Sequence, residues 1–180
     1  RVSDEAGATL TFEQEPFRFA RRFDPSPRVI VSGGDPGALA VARMATMAGF
    51  ETVLVRPGGP DGPPPFPVSR YLRGEPEDAL KAIPVDGWTA YVGATHEDHH
   101  DLGGCLAALR GCAAWVGMIG ARSRSEGRLA ALRAAGASEE GLTRLHLNPG
   151  DPALGKAPFE VATGILAEIM KAFATIGAGR

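Results

Sequence analysis

The chain has 180 residues, 44% of them hydrophobic and 22% charged, with a formal net charge of −2. That length suits one domain with a short appendage, and the composition is ordinary for a chain that buries a core. Charges of both signs are interspersed, which excludes the basic stripe of a nucleic-acid binder, and no apolar run nears the ~18 residues of a membrane span.

The first element is read over residues 1–27 as an N-terminal extension. ATLTF (8–12) and FRFARRF (17–23) look like two short strands around Gln14-Glu15-Pro16, closed by the Asp24-Pro25-Ser26-Pro27 break. This stretch reads as the tail of something upstream. From Arg28 to Arg180 strand and helix patterns alternate. VIVS (29–32) is a strand, PGALAVARMATMAGF (36–50) a small-residue helix closed by Gly49, and ETVLV (51–55) a second strand. The loop 57–67 holds six prolines and three glycines, too stiff and gapped for either regular element. SRYL (69–72) reads as a weak third strand, EPEDALKAI (75–83) as a short helix, and WTAYVGA (88–94) as a fourth strand. A helix to about Gly111 and a fifth strand, AAWVGMIG (113–120), follow. Residues 123–135 are expected as a helix opened by a Ser123/Glu126 capping box, 138–146 as a short helix, and 158–174 as a long closing one. Cys105 and Cys112 lie in one expected helix, read as small core residues, and with no visible signal peptide the cytoplasm is the expected compartment.

This alternation implies an α/β, Rossmann-like fold with a mostly parallel sheet of about five strands and helices on both faces. Ligands in such sheets sit beyond the carboxyl ends of the strands, where strand order reverses. Three stretches leave strands there and are expected to line one crevice: Gly33-Gly34-Asp35-Pro36-Gly37, Thr95-His96, and Gly120-Ala121-Arg122. The glycine turn departs from G-x-G-x-x-G/A, since Asp35 stands at the middle position, where a carboxylate repels phosphate, and Pro36 removes a donor. Arg56 stands where an NAD binder carries an acid, so NADP is the nucleotide to consider. Arg122 and Arg124, with Arg128 one turn on, meet free N–H groups at an expected helix start and form an anion receptor.

THEDHHD (95–101) holds three of the four histidines. A metal site is not expected, because no second cluster completes the ligand set. Asp98 is expected to cap the following helix, leaving His99 and His100 facing solvent, whereas His96 points into the crevice.

Three runs together resemble one family. Thr95-His96 with Asp101, Trp115 to Arg122, and Gly155 to Ala162 (which includes Lys156) are similar, in order and spacing, to the C-terminal Rossmann domain of the XdhC/CoxI family. The resemblance covers about Arg28 to Ala172. It implies an accessory protein of molybdenum hydroxylases such as xanthine dehydrogenase. Such a protein holds molybdenum cofactor, supports its sulfuration together with a sulfur donor, and delivers it to the apo-enzyme, with no turnover of its own. The cofactor's phosphate and polar pterin suit a crevice formed by Gly33, Gly34, Asp35, Gly37, Arg56, Thr95, His96, Asp101, Gly120, Ala121, Arg122, Arg124 and Lys156. The chain also departs from the family: Asp35 and Pro36 replace the second glycine and the histidine of the loop, and Arg56 replaces the usual acid. Asn148-Pro149-Gly150-Asp151 stands for P-I-G-L, and the N-terminal domain with its cysteine is absent from this chain. Two other readings stand beside this one: an NAD(P)-dependent oxidoreductase or nucleotide-binding module with a degenerate glycine loop, and a vestigial crevice on a domain that serves homodimerisation.

Overall fold

The computed structural model describes the backbone of residues 2–3, 9–13, 18–22 and 25–178, and side chains from 25 to 176. Strands β1 (Val2–Ser3), β2 (Thr9–Glu13) and β3 (Arg18–Arg22) form a small antiparallel sheet in that order. Parts of the two strands expected in this region, 8–12 and 17–23, lie outside the described residues.

The main sheet is all parallel and has six strands. They are β4 (Arg28–Ser32), β5 (Glu51–Val55), β6 (Arg70–Leu72), β7 (Thr89–Gly93), β8 (Trp115–Met118) and β9 (Leu145–Leu147), in the order β6-β5-β4-β7-β8-β9. The central strands read as continuous apolar runs because both faces are covered, and Val29, Ile30, Val31, Val53, Leu54 and Val92 are fully buried. On one face pack helices α1 (Pro36–Met47) and α6 (Pro158–Ala178), and on the other α2 (Pro76–Lys81) and α3 (Asp98–Arg110). The buried side of α1 consists of Ala38, Ala40, Val41, Ala42 and Ala45, small enough for Ile165, Ile169 and Phe173 of α6 to come close over the sheet. On the opposite face Gly104 lets α3 lie against the Tyr91 ring; a Cβ there would overlap the phenol oxygen. Helices α4 (Ser125–Ala134) and α5 (Glu139–Leu142) link β8 to β9.

Two expectations are corrected at this end. The 138–146 stretch is not one helix: α5 stops at Leu142, and Leu145–Leu147 pairs with β8 as a sixth strand (Val116 opposite Leu145). The Leu-His-Leu alternation has the period of an edge strand, and Arg144 fixes the entry by donating to the Ala113 and Leu109 carbonyls. The Ser123/Glu126 capping box does not form either. A 3-10 turn over Arg122–Arg124 precedes α4, and no side chain caps that helix.

Candidate functional site

The strand order reverses between β4 and β7, so the exits of these two neighbours face one cleft, as the topology requires. The cleft measures about 270 Å³ and is lined by Gly33, Gly34, Arg56, Thr95, Glu97 and His100, with Pro57 to Pro60 as its outer wall. Gly33 has φ +147°, and a Cβ on it would overlap the Ala94 carbonyl, so the β4 exit passes β7 at a distance only glycine allows. Arg56 folds its guanidinium over Gly34; a Cβ on that glycine would stand 2.8 Å from Nε.

The nucleotide fingerprint fails here for a structural reason. Asp35 is the N-cap of α1, and its Oδ1 accepts the Ala38 N–H at 2.8 Å. Its Oδ2 lies 2.9 Å from His96 Nε2. The carboxylate therefore occupies the place where a pyrophosphate would meet the helix N-terminus, and a dinucleotide does not fit in the usual Rossmann manner. His96 adopts φ +65°, a strained conformation for a non-glycine residue, and the bond to Asp35 helps hold it.

Asp101, expected among the crevice residues, is not among those that line the cleft. It is completely buried, and Oδ1 accepts the Thr95 N–H at 2.9 Å and the Thr95 hydroxyl at 2.8 Å. Burial raises its carboxyl above the ordinary value, while the Thr95 bonds and nearby Arg128 pull it down. Asp98 does not cap α3. Glu97 holds the N-cap position without a side-chain cap bond, and Asp98 Oδ1 instead accepts Arg128 Nε at 3.1 Å, Arg128 Nη2 at 3.0 Å and Arg124 Nη1 at 3.3 Å. The buried Arg128 also donates to the Ile119 carbonyl, passing across Gly120, where any Cβ would strike it.

Two of the three arginines in the expected anion receptor are thus committed to Asp98 of α3. Arg122 is not. It is exposed, without an ion pair among the described residues, and shares a depression of about 130 Å³ with Lys156. That depression is walled by Asn148 to Pro152 and by Gly155. The single expected crevice is therefore two neighbouring ones, the glycine cleft and the Arg122–Lys156 pocket, with the Asp98–Arg128–Arg124 knot tying α3 to α4. Ala121 lies exposed at the β8 exit, and Gly37 sits in the first turn of α1 beside the Asp35 carboxylate.

Sequence reasoning missed Glu75. It precedes α2, yet its Oε2 lies 2.5 Å from His100 Nδ1, and the His100 side chain is only 13% exposed. His100 is therefore not a solvent-facing residue. The contact depends on α2 packing against α3, which no local motif encodes.

A family model described as the XdhC Rossmann domain matches residues 29–169. The chain belongs to the XdhC family. The crystal structure of a xanthine dehydrogenase from Bacillus halodurans superposes on this XdhC domain with a TM-score of 0.68 at 20% identity, covering 85% of this chain. This chain spans 44% of the length of that one. More distant are the NAD(P)-binding domain of an exopolyphosphatase-related protein from Archaeoglobus fulgidus and a GsuK channel. The first aligns at 15% identity and TM-score 0.44, over 82% of this chain and 97% of that one. The second aligns at 18% identity and TM-score 0.47, over 68% and 22%. Among curated proteins, none matches the chain. Among the described residues no helix is long and apolar enough to cross a membrane.

Proposed function

We propose that this XdhC domain is an accessory module of a molybdenum hydroxylase. It holds the phosphate-bearing molybdenum cofactor at the carboxyl edge of its sheet before transfer to the apo-enzyme. The observation that carries the reading is a pair of cations, Arg122 and Lys156, that line one depression within an XdhC domain and have no ion pair among the described residues. A fork-shaped guanidinium and an ammonium converging on a small cavity suit a phosphate monoester, and 130 Å³ is the scale of a phosphate rather than of a whole pterin. Arg122 and Lys156 hold the phosphate, and the polar pterin extends toward the glycine cleft, where Arg56 supplies donors. When bound, the cofactor supplies the redox-active molybdenum centre of the enzyme it is destined for; this chain binds, orients and shields it. Its direct partners are then the apo-hydroxylase and a sulfur donor.

The test is retention of molybdenum cofactor, released from a purified hydroxylase, by the full chain after gel filtration. Retention at micromolar protein is expected. An Arg122→Ala/Lys156→Ala variant should bind at least tenfold more weakly, equivalent to about 1.4 kcal/mol. No retention, or equal retention by the variant, overturns the reading.

A second reading, a phosphorylated nucleotide such as NADP, is favoured by one observation: Arg56 lies free of ion pairs among the described residues over Gly34 in the larger cleft. It requires a binding mode that avoids the Asp35-capped helix. A thermal shift with NADPH and not with NADH supports it; no shift with either removes it.

A further inference from the structure

We propose that Glu75, His99 and His100, with Glu97 as a fourth ligand, form a surface site for a divalent transition-metal ion. The inference is independent of what the neighbouring cleft binds.

The first observation is convergence. One ligand atom each from Glu75, His99 and His100 lies within 4.8 Å of the others. Successive residues of a helix normally diverge, yet the His99 and His100 rings stand 3.8 Å apart between centroids, both on the side facing Glu75. Glu97 Oε2 lies 3.8 Å from His99 Nδ1 and 3.9 Å from His100 Nε2. A tetrahedral ion with bonds of about 2.1 Å sets its ligand atoms roughly 3.4 Å apart, so Glu75, His99 and His100 close on one ion by exchanging the 2.5 Å Glu75–His100 hydrogen bond for metal bonds, and Glu97, which faces the other ring nitrogen of His100, joins from the His99 side.

The second observation is charge. Glu75 and Glu97 bring two carboxylates to the cluster. Among the described residues no lysine or arginine reaches Glu75 or Glu97: Lys81 is taken by Glu77 and Asp78, and Arg124 and Arg128 by Asp98. Nor do the two glutamates serve their helices, since both stand at N-cap positions and neither makes a side-chain cap bond. A divalent cation balances this charge. Two imidazole nitrogens and two carboxylate oxygens suit zinc, and equally nickel, cobalt or copper, over the oxygen-seeking magnesium and calcium.

The third is placement. The site spans two elements, with Glu75 at the start of α2 and the other ligands at the start of α3, so an ion there cross-links them. Glu97 and His100 also line the glycine cleft, which puts the ion at its rim.

Titration of the tag-free full chain with zinc chloride, followed by calorimetry, tests the proposal, with cobalt(II) as a spectroscopic probe of the same site. One ion per chain at micromolar or tighter affinity is expected, with a visible cobalt band of tetrahedral or five-coordinate character. Glu75→Gln and His99→Ala/His100→Ala should each weaken binding at least tenfold, and His96→Ala, His146→Ala and Cys112→Ser should leave it unchanged. Glu75→Gln alters one exposed carboxylate and keeps the test available if the double histidine variant misfolds. The proposal is overturned if zinc does not bind, if Glu75→Gln binds as tightly as the parent, or if loss of His96, His146 or Cys112 is what abolishes binding.

Discussion

Asp101 is completely buried, and one of its carboxylate oxygens accepts both the Thr95 N–H and the Thr95 hydroxyl. Its proximity to Thr95 was legible in T-H-x-x-x-x-D, but its direction was not, because that depends on α3 turning back under the β7 exit. The carboxyl is buried with one oxygen doubly bonded by Thr95 and the other without a hydrogen-bond partner, 3.7 Å from Arg128. Since burial raises its folded-state pKa, the proton binds more tightly in the native state than in the unfolded one. The Asp101 contribution to stability is therefore fully present below the unfolded value, near 4, and is lost as pH rises through the folded value. Asp101→Asn keeps an oxygen to accept both Thr95 bonds and removes the buried charge. Its stability relative to the parent should improve between pH 4 and pH 7 in urea unfolding, and a constant difference across that range would contradict this account. Asp101→Ala should cost about 1–3 kcal/mol at either pH, because Thr95 then loses a buried acceptor.

At the scale of elements, the parallel sheet, the small-residue helix α1 and the closing helix followed from the alternation, apolar period and length of the segments. What did not follow was short: the edge strand β9, three residues long, and the 3-10 turn in place of a capped helix start. Both are fixed by contacts made across the fold, the first by Arg144 reaching the end of α3 and the second by Arg128 reaching Asp98. Committing Arg124 and Arg128 to Asp98 also explains why the arginine cluster yields one free guanidinium rather than three. The α1–α6 pair is held by apolar packing. Ile169 is fully buried there among residues of both helices and the sheet, so Ile169→Ala should cost about 2–5 kcal/mol in denaturant midpoint experiments. A cost below 1 kcal/mol would show that α6 is not held against α1 as described.

For the molecule as a whole, both apolar clusters are built, among the described residues, from residues 29 to 176. The α/β layers thus carry their own core, and a chain starting at Pro25 should unfold cooperatively within a few degrees of the full chain by calorimetry. A drop of 10 °C or more would mean that the first strands complete the core. One contact within these layers also connects the sheet, its edge and the closing helix. Trp115 in β8 stacks on His146 of β9, with ring centroids 5.0 Å apart, and His146 Nδ1 lies 3.4 Å from Glu168 of α6. Burial lowers the His146 pKa, with Glu168 opposing. An imidazolium quenches a stacked indole through electron transfer from the excited ring, and neutral imidazole does not. In a Trp88→Phe background, Trp115 emission should therefore dim as pH falls below the ordinary histidine value, and His146→Gln should flatten the curve. Asn148 and Gly150 of the Arg122–Lys156 pocket lie two and four residues after His146, and Glu168 also accepts the Gly150 N–H. The protein thus carries its own fluorophore beside that pocket, and an anion settling there can be followed by light without any attached label.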